Sequence, residues 1–159
     1  PSVDVMLVPL DATRCEVRTS GRGTAIVMRL KGRYHYTPAD GDPLGLGGPL
    51  TDLSPSEAHA ATIASDSQIA LGQIASIAAP GRSGIFILSA TRDWDFRARF
   101  EPIPHASAHG ALHREHMLVP LLLNRPPRTT PRRTADIMPS ALAALGVGIP
   151  PGLDGESFE

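Results

Sequence analysis

Residues 3–36, VDVMLVPLDATRCEVRTSGRGTAIVMRLKGRYHY, decide how this chain folds. VDVMLVP, CEVRTS, TAIVMRL and RYHY are four short β-prone runs, each separated from the next by a few polar or glycine residues. Gly21-Arg22-Gly23 supplies a hairpin turn between the second and third runs. The expectation is a β meander that begins at the start of the chain.

Working outward, TPADGDPLGLGGPL (37–50) is rich in Pro and Gly and reads as loop. Ser54-Pro55-Ser56-Glu57 is a helix start: Ser54 can cap, Pro55 suits the first helical position and Glu57 completes a capping box. A second helix places Leu71, Ile74, Ala75 and Ala78 on one apolar face and ends at Pro80-Gly81. Gly84–Ala90 (GIFILSA) has the continuous apolar pattern of a central strand covered on both faces. Residues 91–116 are irregular and rich in titratable groups, and Met117–Leu123 reads as a further buried strand. RPPRTTPRR (125–133) is a basic, Pro-rich connector. A last helix follows, with Thr134 or Asp136 as cap, Pro139 in its first turn, Leu142 and Leu145 facing inward, and Gly146 at its end. The order helix, strand, loop, strand, helix predicts an α/β sheet. The expected organisation is one partial domain over 1–159, with meander and Gly/Pro-rich loop in 1–50 and helices with central-sheet strands in 51–159.

Composition narrows the function classes. At 159 residues with 42% hydrophobic side chains, the chain can bury a core and is not a disordered segment. Aromatics contribute only 4%, so that core rests on Ala, Ile, Leu and Val. A net charge of −1 provides no global field for a nucleic-acid polymer or an anionic membrane. No apolar run reaches the roughly 18–20 residues of a membrane helix, and no signal-peptide pattern is visible. The single Cys15 cannot close an internal disulfide. A soluble, cytoplasmic setting is the working expectation. The chain opens on Pro1 in a strand-like segment, which reads as a piece of a longer protein.

The sharpest chemical signal is HASAHGALHREHM (105–117). Four of the six histidines, His105, His109, His113 and His116, fall within it. Asp93, Asp95, Glu101 and Glu115 are near in sequence. Imidazoles and carboxylates grouped at a strand end are how a protein presents ligands to zinc or a similar cation. The competing reading makes these histidines exposed loop residues or hydrogen-bonded structural partners. HREHM is neither H-E-x-x-H nor its inverted form. No G-x-S-x-G elbow, P-loop or G-x-G-x-x-G fingerprint occurs. Cys15 reads as a buried inert thiol, and Gly45–Gly48 (GLGG) as a turn rather than a phosphate cradle. Arg125, Arg128, Arg132 and Arg133 read as a solvated connector. Asp40-Gly41-Asp42-Pro43 lacks the ligand count of a calcium loop and reads as a plain turn.

Four segments carry a resemblance: GDPLGL (41–46), RSGIFILSATRDWDFRARFEPIPH (82–105), SAHGALHREHMLVPLLLNRPP (107–127) and RTADIMPSALAALGVGIPPGLDG (133–155). Together they resemble the C-terminal part of bacterial type I phosphodiesterase/nucleotide pyrophosphatase-like proteins, in the alkaline phosphatase superfamily. The resemblance implies an α/β sandwich of which this chain supplies the C-terminal portion. It implies hydrolysis of phosphodiester or related phosphate esters at two metal ions, zinc first and manganese or magnesium as alternatives. A Thr or Ser nucleophile would attack phosphorus while the metals stabilise charge on the oxygens. Carried over by position, the histidine of Ala108-His109-Gly110 matches a metal ligand of the pattern, and His109 is the one site residue assigned. His105, His113 and His116 receive no comparable role. The nucleophile, the first metal-binding Asp and an Asp-His-Gly segment lie upstream in such proteins and are absent here. Ser83-Gly84-Ile85 stands where Ser-Gly-Asp is usual.

The expected partners are a small phosphate-ester substrate and the upstream part of the same protein or a complementing chain, without which this chain would be inactive. A non-catalytic metal- or partner-binding module is the alternative. A structural domain whose histidines only solvate a loop is a third reading.

Overall fold

A computed structural model of the chain describes residues 2–63, 65, 71–77, 83–96, 111–130 and 133–159. They fall into two compact units, Pro1–Val119 and Pro120–Glu159. The first is built on β1 (Val3–Pro9), β2 (Arg14–Thr19), β3 (Gly23–Leu30), β4 (Arg33–Gly41), β5 (Leu50–Leu53) and β6 (Ile87–Ala90), with helices α1 (Pro55–Thr62), α2 (Leu71–Ile77) and the single turn α3 (Arg114–Met117). Among the described residues every strand pair is antiparallel, and the sheet order is β5-β4-β3-β2-β1-β6. The chain is therefore mixed α/β, and its N-terminal meander is present as expected.

Alternation explains which side of this sheet is core. Successive side chains in a strand point to opposite faces. Val5 and Leu7 on β1, Cys15 and Val17 on β2, Ala25 and Val27 on β3, and Tyr34 and Tyr36 on β4 share one face and are all buried. The register aligns them in rows: Leu7 opposite Val17, Val17 opposite Ala25, Cys15 opposite Val27, and Val27 opposite Tyr36. Leu71, Ile74 and Ala75 of α2 and Ala58 of α1 join that core. Burial of Leu71, Ile74 and Ala75 is what packs α2 on the sheet. Residue Ala78 and the Pro80-Gly81 stop fall outside the described residues.

Local chemistry sets the ends of these elements. Ser54 caps α1: the Glu57 amide donates to Ser54 Oγ at 3.2 Å, and the Ser54 amide donates to Glu57 Oε2 at 2.7 Å. That is the reciprocal box expected there. Thr19 pairs with Gly23 across the Ser20–Arg22 turn, where Gly21 takes φ +85. Gly23 faces Gly41 across the β3–β4 ladder, and a Cβ on Gly23 would sit 1.5 Å from the Asp40 carbonyl oxygen. Only glycine admits that approach.

Three expectations are corrected. Thr37–Gly41 continues β4 rather than forming loop. Pro38 is tolerated because β5 pairs β4 only over Tyr34 to Tyr36, so no ladder partner there requires its missing amide hydrogen. Gly84–Ala90 is not a doubly covered central strand. Only Ile87–Ala90 is β, it pairs β1 at the sheet margin, and Ile85 is 87% exposed. β1 is the first strand of the meander and pairs β2 on one side only, so the open side left for β6, reached after α1 and α2, is a sheet margin. Met117–Leu123 is not a strand either. Met117 ends α3, and Leu118, Val119 and Leu121–Leu123 are irregular and exposed, Leu122 by 92%. Pro120 removes one amide donor and restricts Val119 before it.

The second unit contains a 3-10 turn (Thr134–Asp136) leading into α4 (Ile137–Ala144). Pro139 is buried in the first turn, as expected. Leu145 does not face inward; it is 76% exposed. It stands at the C-cap, where the helix already closes: Gly146 takes φ +68, its amide donates to the Ala143 carbonyl at 3.0 Å, and the Val147 amide donates to that of Leu142 at 2.9 Å. These two bonds form a Schellman stop. No helix among the described residues is long and apolar enough to cross a membrane.

The β3–β4 hairpin turns on Lys31 and Gly32 alone, both with positive φ, 50 and 78. This is the geometry of a type I′ turn, which favours Asn over Lys at the first position. Lys31→Asn is expected to raise stability by a few tenths to about 1 kcal/mol. Chemical denaturation should show a higher midpoint at an unchanged slope; a lower midpoint would contradict the assigned turn.

Candidate functional site

The histidine-rich segment meets the sheet at the end of β6. Ser89 and Ala90 there are buried, and the Leu112 amide and the His113 side chain reach them. The Leu112 amide donates to Ser89 Oγ at 3.0 Å. His113 is 8% exposed, and its Nε2 lies 3.0 Å from the Ala90 carbonyl oxygen. A carbonyl can only accept, so Nε2 carries the proton. His113 occupies the N-cap position of α3 but caps nothing with its side chain; the ring is turned to the strand instead.

His116 is the mirror case. Its Nδ1 accepts from the Ala111 amide at 3.3 Å, so in the neutral ring the proton is on Nε2. The His113 and His116 rings meet edge to face with centroids 6.2 Å apart. Arg92 Nε pairs with Glu115 Oε1 at 3.0 Å; the residue's own backbone amide first, and the Arg92 guanidinium after it, hold the Glu115 carboxyl below its ordinary value. Asp93 and Asp95 are exposed beyond β6. His105, His109 and Glu101 lie outside the described residues.

These contacts account for the titratable groups described at the end of β6. His113 and His116 each spend one ring nitrogen on backbone, and Glu115 is committed to Arg92. Among the described residues, no three of His, Cys, Asp and Glu gather as a set that could hold a metal ion. What these groups do chemically is fasten the 111–117 segment to the end of β6 through one buried imidazole, one hydroxyl and one ion pair. Ser89 was not singled out from sequence; the signal available was a lone hydroxyl inside the apolar run GIFILSA.

The other candidate positions have structural occupations. Cys15 is fully buried, and burial pushes its thiol up to about 11, which leaves it inert at neutral pH. Asp42 organises the Gly/Pro-rich turn. It accepts from the Tyr36 hydroxyl at 2.5 Å and from the Gly47 amide at 2.7 Å. Burial opposes ionisation of Asp42, but the Tyr36 hydroxyl and the Gly47, Leu46 and Gly45 amides outweigh it and hold its carboxyl below the ordinary value. The GDPLGL segment is a closed turn with its carboxylate already satisfied.

The basic connector is less solvated than its composition implies. In the second unit, Arg125 Nη2 pairs with Glu159 Oε2 at 2.5 Å, and Arg133 Nη2 with Asp136 Oδ1 at 2.9 Å. The Arg133 and Asp136 side chains are only 13% and 8% exposed. Arg132 lies outside the described residues. Asp136 stands at the N-cap of α4, yet its carboxylate serves the tail rather than the helix: it accepts from the Glu156 amide at 3.0 Å and the Arg133 amide at 3.0 Å. Ser140 Oγ donates to the Asp136 carbonyl at 2.6 Å and accepts from the Phe158 amide at 3.0 Å. A Cβ on Gly155 would stand 2.0 Å from the Ala135 carbonyl oxygen, so the tail passes too close for any other residue.

Comparison of the chain with protein-family models, with curated proteins and with solved structures finds no match.

Two outcomes follow from these contacts. His113→Ala strands the buried Ala90 carbonyl and is expected to cost about 1–3 kcal/mol. His113→Gln, whose amide nitrogen can reach the same oxygen, should recover part of that loss in thermal unfolding. Equal stability of His113→Ala and the unaltered chain would make this histidine a solvated loop residue. For Asp136, burial raises its pKa, and the Glu156 and Arg133 amides with the Arg133 guanidinium lower it further than burial raises it. A depressed carboxyl contributes stability that is present above its unfolded value of about 3.9 and is lost as pH falls through its folded value. The Glu156 and Arg133 amide resonances should therefore titrate together with a midpoint below about 3.9. A midpoint at or above that value would contradict the assigned contacts.

Proposed function

We propose that this chain is the C-terminal portion of a metal-dependent hydrolase of phosphodiester or related phosphate esters. Its complete fold would be an alkaline phosphatase-like sandwich, and His109 would be a ligand to one of two metals, zinc first. The nucleophile and the remaining ligands are assigned to protein outside these residues.

The observation that supports this reading is the meeting of the two halves of the RTADIMPS…LDG pattern. Asp136, Pro139 and Ser140 start α4, and the Asp154-Gly155 end returns to them. Asp136 takes the Glu156 amide, Gly155 packs on the Ala135 carbonyl, and Ser140 takes the Phe158 amide. Within the resembling segment itself the contact is Gly155 on Ala135, and the residues just beyond it, Glu156 and Phe158, donate to its Asp136 and Ser140.

One observation favours the second reading, a partner-binding module. The runs Ile85-Phe86 and Leu121–Leu123 expose large apolar side chains, as surfaces that receive other protein do.

The test is hydrolysis of bis(p-nitrophenyl) phosphate by the complete gene product carrying this chain, with zinc, manganese or magnesium supplied. His109→Ala is expected to lower the rate by more than about 100-fold, beyond what loss of a supporting contact causes. His113→Gln should leave it near the unaltered rate. Absence of hydrolysis with all three metals, or full activity in His109→Ala, would overturn the hydrolase reading; stable association with another protein without hydrolysis would establish the second.

A further inference from the structure

We draw no further inference here: the strongest candidate, the apolar groove between the Leu121–Pro127 segment and α4 in the second unit, carries nothing because nothing in the structure shows what covers it.

Discussion

One-sided burial of the meander is the constraint on which the first unit depends. Val5, Leu7, Cys15, Val17, Ala25, Val27, Tyr34 and Tyr36 reach the same face only in the observed register. A slip of one residue on any strand would turn its buried set outward. Each fully buried Val or Leu is worth about 1.5–3 kcal/mol, so four strands leave little freedom in pairing. α1, eight residues between its caps, lacks the length to persist without this face, and α2 packs on it through Leu71, Ile74 and Ala75.

The same constraint fixes where the histidine segment attaches. Pairing of β6 with β1 puts Ile87 opposite Leu7 and Ser89 opposite Val5, so Ser89 lies on the core face. That presents its hydroxyl, and the Ala90 carbonyl after it, to Leu112 and His113. The pairing therefore gives one histidine of a chemically suggestive cluster, His113, a structural contact. In the second unit a different device prevails: one buried carboxylate, Asp136, gathers the Arg133 guanidinium and two backbone amides and so ties the C-terminal tail to the start of α4. It stands where an ordinary helix cap would, and its capping capacity is used elsewhere.

The sequence made legible what is governed by neighbouring residues. The four meander runs, the turn at Gly21 and the Ser54–Glu57 box all follow from local patterns, and all are present. What depends on remote partners was not legible. An apolar run such as GIFILSA reads alike whether it lies mid-sheet or at an edge, because periodicity reports only the chain's own side chains. MLVPLLL has strand composition, but Pro120 interrupts its donors and no described strand pairs with it. Arg133 looked solvated because nothing in RPPRTTPRR announces that Asp136 and the tail will enclose it. For the candidate site, residue types identified a chemically rich segment but not the backbone bonds that occupy His113 and His116. His109 still rests on its place in the Ala108-His109-Gly110 match.

Amide hydrogen exchange tests the account most directly, because it reports which segments are paired. With β2 and β3 at the centre of the sheet, the amides of Cys15, Val17, Ala25 and Val27 should exchange slowest. Those of Val119 and Leu121–Leu123 should exchange at rates close to an unfolded chain. Protection of Val119, Leu121–Leu123 and Ile85-Phe86 comparable with that of β2 and β3 would contradict it, and would restore them as central strands.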